Sequence, residues 1–199
     1  IGGGEAGANA AQIAVGLGAD VVLLDRDPAR LAEFEARHPG RVRGVTSSPE
    51  TIAAEVILAD LVIGAVYLPG RRAPKLVTRD LVRRMARGAV IVDVAIDQGG
   101  IAETSRVTRH DQPFFVDEGV VHYGVANMPG AVARTSTQAL EAATLPYLLR
   151  LAEQGPRAAF QADPGFAAGL NVAAGQLCHA GLAADLGLTA STWQATLNT

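Results

Sequence analysis

The chain has almost no cysteine, little charge and no long apolar run. Its single cysteine, Cys178, excludes an internal disulfide and any zinc site built from a cysteine cluster, and no metal is expected. No stretch reaches the roughly 18–20 unbroken apolar residues of a membrane span, so no membrane partner is expected. There is no excess of positive charge: the formal net charge is −3. General nucleic-acid binding needs a concentrated positive field and is therefore not expected. Charged residues are 19% and apolar residues 49%, which excludes a disordered chain. An initiating Met is also absent. The chain starts at Ile1 and runs into Gly2-Gly3-Gly4, without the charged start and apolar stretch of a secretory signal. The expected location is the cytoplasm, and the beginning reads as cut in the middle of a structural unit. At 199 residues the chain makes one large domain, or one domain plus part of another.

What is present is an alternation. Val21–Leu24, Leu61–Val66 and Ala89–Val92 are short, apolar and nearly uncharged, as suits strands buried on both faces of a parallel sheet. Val42–Thr46 is a weaker strand. Helices are expected between them: Ala6–Leu17, ending at Gly18; Pro28–His38, capped by Asp27; one opening at Ser48-Pro49-Glu50; and Arg79–Arg87, capped by Thr78. This rhythm reads as βαβ units of a doubly wound α/β sheet with helices on both faces. The rhythm stops near residues 130–136. Beyond it, a helix over Ser136–Gln154 is expected to kink or split at Pro146. A short helix near Arg157–Ala162 follows. A small hairpin over Leu170–Ala173 and Gln176–Cys178 comes next, turning at Ala174-Gly175, and then a helix over Ala180–Leu186.

Gly2-Gly3-Gly4-Glu5-Ala6-Gly7 fits G-x-G-x-x-G. In that motif the first glycine makes the strand-to-helix turn, the second admits a pyrophosphate, and the third lets helix and strand approach. The free N–H groups of the helix start then face the anion. A second strand ends in Asp25, 18 positions after Gly7, close to the spacing of a ribose-binding carboxylate. Such a carboxylate accepts from both ribose hydroxyls and repels a 2′-phosphate, favouring NAD over NADP; Arg26 beside it works the other way. A glycine turn in an unrelated α/β protein, or a methyltransferase loop, shares parts of this pattern. Further on, Tyr67-Leu68-Pro69-Gly70 follows a strand and should line the cofactor. Asp93 ends another strand, and Val94-Ala95-Ile96-Asp97-Gln98-Gly99-Gly100 follows. An Asp and two glycines there suit a reaction-site loop or an ordinary surface turn equally.

Four stretches together resemble the alanine dehydrogenase family: Gly2–Gly7 with Asp25; Gly64-Ala65-Val66 with Ala73–Thr78; Val92–Gly100; and His122–Val132 with Arg134–Thr137. The resemblance covers the chain to about Leu188. The related transhydrogenase α subunit fits the Asn127–Thr137 run less well. The resemblance implies NAD as cofactor and reversible oxidative deamination of L-alanine to pyruvate and ammonium. It implies a Rossmann-type NAD domain over residues 1–133, its first strand mostly missing, and a segment, 134–199, returning to a substrate domain. It also implies a homo-oligomer, a hexamer in the family. Gly2, Gly4 and Gly7 then hold the pyrophosphate, and Asp25 the adenosine ribose. Arg30 flanks the adenine side and Ser47 lines its pocket. Val66 and Leu68 lie beside the cofactor, Val94 and Ile96 near the nicotinamide, and Asn127 and Met128 close the other side. Asp97 is the catalytic candidate, for proton exchange with the amino group or for orienting the hydrating water.

The family's substrate-binding Arg and Lys and its proton-transferring His lie in an N-terminal half outside these residues. Lys75 and Arg134 do not occupy those roles. His122 reads as structural, His110 as a loop residue and Cys178 as packing; Arg71-Arg72 and Arg83-Arg84 read as solvated or interface charges. Ala133 stands where a Pro is usual in the family, and Ile101 where a Cys is common. The expectation is a part-enzyme, inactive and unstable by itself. The alternative is a non-catalytic NAD-binding module, such as a sensor or the nucleotide domain of a transhydrogenase-like assembly.

Overall fold

The strands of the main sheet are short, and their order follows from which residues pair. In the computed structural model, which describes residues 1–197, β1 (Val21–Asp25) pairs in parallel with β2 (Val42–Thr46). β3 (Leu61–Gly64) pairs in parallel with β4 (Val90–Asp93), and β4 with β6 (Val120–Tyr123). β5 (Phe114–Asp117) closes this edge antiparallel to β6. Ile1 and Gly2 lie between β1 and β3. The Gly2 amide donates to the Leu24 carbonyl (2.7 Å), the Ile1 amine to the Ile63 carbonyl (2.8 Å), and the Ala65 amide to the Ile1 carbonyl (2.8 Å). The order across the sheet is thus β2, β1, the Ile1–Gly2 position, β3, β4, β6, β5.

Helices cover both faces. Neighbouring side chains of a strand point to opposite faces, and Leu23 and Leu24 do so. Leu23 packs with Ala11 of α1 (Glu5–Gly16) and with Leu31 and Phe34 of α2 (Pro28–Arg37). Leu24 joins Ile52 and Val56 of α3 (Pro49–Leu58), Leu81 and Val82 of α4 (Arg79–Arg84), and Val62 and Ile91 of the sheet. The caps are those the sequence signals. Asp27 accepts the amides of Ala29 and Arg30, Ser48 that of Thr51, and Thr78 that of Leu81.

Three expectations are corrected. The strand from Leu61 stops at Gly64 rather than Val66, because its register with β4 ends at Asp93, where that neighbouring strand leaves the sheet into a 3-10 turn at Val94. α4 stops at Arg84 rather than Arg87, because Met85 goes extended and sinks into the core, 5% exposed. Helical dihedrals run through Pro146 without a break. The break in α5 (Ala133–Ala162) falls at Gly155, at φ 73° and ψ 164°, with Pro156 restarting the helix.

The chain forms two compact units: residues 1–68 with 72–128, and residues 69–71 with 129–199. In the second, Phe160 meets Phe166 and Trp193 edge-on, at 5.1 and 5.9 Å between ring centroids. After α6 (Pro164–Ala168), β7 (Val172–Ala173) and β8 (Gln176–Leu177) make the expected hairpin, with Ala174 and Gly175 both at positive φ. α7 (Ala180–Leu186) follows, then α8 (Trp193–Thr196), a short helix the sequence pattern does not announce. Arg71 is no free charge: its Nη2 meets Asp185 Oδ1 at 2.7 Å. Cys178 packs its Sγ 3.7 Å from Thr196 Oγ1, and the adjacent His179 spends Nδ1 on the Leu182 amide. Among the described residues no helix is long and apolar enough to cross a membrane, and no cluster of metal-ligating side chains occurs.

Candidate functional site

The glycine loop sits where the sheet order reverses, between β1 and β3, the place where doubly wound sheets bind ligands beyond their carboxyl ends. Each motif glycine has its own reason. Gly2 is at φ 93°, and a Cβ there would stand 2.7 Å from the Ala65 carbonyl oxygen. A Cβ on Gly7 would collide with the carbonyl oxygen of Gly2, so α1 approaches the loop this closely only with glycine at that point. Gly4, the N-cap of α1, has open space where its Cβ would be, and no side chain caps the helix. The first amides of α1 thus have neither an intrahelical partner nor a side-chain cap, a setting suited to an anion.

Asp25 ends β1 at 9% exposure. Its Oδ2 accepts the Gly3 amide at 2.6 Å and Arg30 Nη1 at 3.3 Å, and its Oδ1 accepts the Asp27 amide at 2.9 Å. Burial raises its pKa, but the amides of Asp27 and Gly3 and the Arg30 guanidinium outweigh that and hold the carboxyl below the ordinary range. The group is therefore anionic and aimed at the glycine loop. Ser47, just beyond β2, is tied by its amide to the Asp25 carbonyl (2.8 Å), and no partner among the described residues takes its hydroxyl. Asp25, Arg30 and Ser47 thus form one group beside Gly3.

The remaining predicted residues follow β3, β4 and β6. Ala65 touches the glycine loop; Val66 packs partly on the core, and Leu68 is 37% exposed. Val94–Gln98 forms a single 3-10 turn. Val94 is half-buried and Asp97 exposed, whereas Ile96 is buried, its side chain 3.4 Å from where a Cβ on Gly124 would stand. Ile96 thus contributes the floor of this loop rather than an exposed apolar wall. Asn127 has φ 59°, in the left-handed region that asparagine enters more readily than other non-glycine residues. His110 Nε2 lies 3.1 Å from the Asn127 carbonyl oxygen, so this loop histidine reaches the site. Met128, half-buried, opens the next 3-10 turn.

Four residues take parts the motif reading did not assign. Gly3 supplies the amide that meets Asp25; a run of glycines conceals which one does so. Asp93 is 1% exposed and turns inward, its Oδ2 accepting the amides of Ile101 (2.8 Å) and Ala102 (3.3 Å). It therefore braces the loop that carries Asp97. Lys75 and His110 hold main-chain carbonyls, a function without a sequence signature. His122 is structural. Its Nδ1 faces the Val120 carbonyl and so carries the hydrogen, its Nε2 meets Thr104 Oγ1 at 2.7 Å, and burial lowers its pKa, keeping it neutral.

Residues 1–180 match the family described as Alanine dehydrogenase/PNT, C-terminal domain. The alanine dehydrogenase of Staphylococcus haemolyticus is 56% identical over 189 residues, 94% of this chain and 51% of that protein. Alanine dehydrogenase 2 of Staphylococcus aureus is 54% identical over 184 residues, 92% of this chain and 50% of that protein. Among solved structures, an L-alanine dehydrogenase superposes with a TM-score of 0.79 at 50% identity, covering 94% of this chain and 51% of that one. The transhydrogenase from Sinorhizobium meliloti superposes with a TM-score of 0.62 at 30% identity, covering 69% of this chain and 39% of that one. The chain spans about half the length of the curated relatives it matches.

Proposed function

Since the chain belongs to the alanine dehydrogenase/PNT C-terminal domain family, we propose that it is the NAD-binding part of an enzyme that oxidises L-alanine reversibly to pyruvate and ammonium. The observation that carries this reading is the junction of the glycine loop with Asp25: a helix start left uncapped, two glycines, Gly2 and Gly7, that tolerate no side chain, and a buried anion beside them. These residues fit a dinucleotide. Gly2, Gly4 and Gly7 present the amides of α1 to the pyrophosphate. Asp25 accepts from the ribose hydroxyls, and its charge disfavours a 2′-phosphate, hence NAD. Arg30 and Ser47 flank the adenosine end. Val66, Leu68, Val94, Asn127 and Met128 border the nicotinamide end, with Ile96 beneath.

Bound NAD supplies the acceptor for the hydride leaving the alanine Cα. Asp97, exposed and without a hydrogen-bond partner among the described residues, exchanges protons with the amino group or orients the water that hydrates the imine. Residues 1–133 form the nucleotide domain in this reading. Residues 134–199 join a substrate domain, within a cytoplasmic homo-oligomer. A transhydrogenase-type nucleotide module is the second reading, favoured by the superposition at a TM-score of 0.62; the one at 0.79 supports the dehydrogenase.

The test is L-alanine-dependent NADH formation by the full-length protein that carries these residues. We expect turnover, and a loss of at least about 10²-fold in kcat for Asp97→Asn with NAD affinity retained. Unchanged turnover in Asp97→Asn would remove Asp97 from the chemistry. NAD binding without turnover of alanine by the wild type would favour the nucleotide module.

A further inference from the structure

Lys75 is the one lysine of the chain, and the nucleotide site makes no use of it. Its ammonium lies 2.5 Å from the carbonyl oxygen of Gly99, 3.0 Å from that of Gly100 and 2.9 Å from that of Ala102. An ammonium has three N–H donors, so all of them are spent on one turn. That turn immediately follows Asp97. Gly99 and Gly100 both take left-handed backbone, at φ 95° and 73°, which swings successive carbonyls toward a common point. Carbonyl oxygens brought together repel one another unless a cation sits among them, and charge-assisted bonds of this kind are the strong ones. On the opposite side, Asp93 Oδ2 takes the amides of Ile101 and Ala102, and a Cβ on Gly100 would stand 2.5 Å from that oxygen. The turn is therefore held from its carbonyl side by a cation and from its amide side by an anion.

We propose that Lys75 is a positioning residue for Asp97, its ammonium clamping the two-glycine turn from which the Asp97 loop hangs. The proposal rests on the reading of Asp97 given above. Two observations distinguish the clamp from a plain fold contact. The stretch bearing Lys75 is already docked through its main chain: Ala73 donates to the Gln98 carbonyl (2.9 Å), and Leu76 and Val77 to that of Ile101 (2.8 and 3.1 Å). The fold thus does not need the ammonium to bring these segments together. Asp97, in contrast, has no side-chain tether of its own, so only the backbone of its loop aims it. A catalytic group displaced by about 1 Å can lose about 10²-fold in rate.

Lys75→Met, which keeps the aliphatic stem, and Lys75→Arg, which keeps the charge, test this in the full-length protein. We expect Lys75→Met to lower kcat for L-alanine oxidation by about 10²-fold. Binding of ADP-ribose, which uses the glycine loop and Asp25, should stay within about 2-fold, and hydrogen exchange at the Ile101 and Ala102 amides should quicken. Lys75→Arg should fall between Lys75→Met and the wild type. Wild-type kcat with unchanged exchange in Lys75→Met would overturn the proposal. So would a fall in kcat matched by an equal loss of ADP-ribose binding, which would mark a general structural role. If the wild type does not oxidise alanine, the functional reading fails by itself, and exchange at Ile101 and Ala102 still decides whether Lys75 clamps the turn.

Discussion

Asp25 accepts three hydrogen bonds within the protein and still faces the loop that would receive a nucleotide. Its ionised form is the one these donors favour, so its folded pKa lies below its unfolded one. Between those two values the unfolded chain binds more protons, and stability rises with pH. The contribution is therefore complete above the ordinary carboxylate pKa and is lost as pH falls through the depressed value. Asp25→Asn should cost about 1.5–3 kcal/mol at neutral pH, the scale of hydrogen bonds to a charged group. Its unfolding free energy should also lose the part of the acid slope that Asp25 supplies. Urea titrations at a series of pH values read both effects; an unaltered acid limb would show that the carboxylate is not the group responsible. The same residue illustrates what spacing reveals. Its distance from Gly7 points to the ribose role, whereas its bond to Gly3 is visible only once the loop is folded.

Among the elements, α5 departs most from its sequence signals. Pro146 lacks an amide, and the ring crowds the carbonyl four residues earlier. Here that carbonyl belongs to Ala142, which is exposed, so water can serve it and the helix continues. Gly155 instead supplies the break, in a conformation essentially reserved for glycine. Pro146→Ala should thus stabilise the protein, by up to about 3 kcal/mol, raising the thermal midpoint. A lower midpoint would mean that the proline serves some contact of its own. The β5–β6 hairpin was likewise half concealed. Val120–Tyr123 reads as a strand, but Phe114–Asp117 is an edge with Phe114 and Val116 each 65% exposed, and its pattern has no buried run to announce it. Its position is set by the antiparallel ladder with β6, and ion pairs of Arg79 with Asp117 and Glu118, and of Arg83 with Glu118, join its end to α4. Arg83, read as a solvated or interface charge, keeps its side chain more than half exposed within that last pair.

For the molecule as a whole, the proposed cofactor would bind residues drawn from the ends of several strands, and binding should stabilise the fold that brings them together. NAD at a hundredfold excess over its Kd should add about 2.7 kcal/mol to the stability of the full-length protein. Calorimetric melting would show it as an upward shift, greater with NAD than with NADP. Equal shifts with the two nucleotides would contradict the specificity assigned to Asp25.

The strand–helix alternation, the caps at Asp27, Ser48 and Thr78, the glycine loop and its acidic partner are all legible in the order of the residues. These are local: they depend on side-chain size, on backbone freedom and on spacing along one βα unit. It takes the folded chain to bring Gly3 to Asp25, to turn Asp93 inward and Asp97 out, and to close Lys75 on Gly99, Gly100 and Ala102. Each of those depends on main-chain groups more than 20 residues apart, or on which side of a turn a carboxylate falls. Main-chain donors and acceptors are the same at every residue, so no composition or motif betrays them.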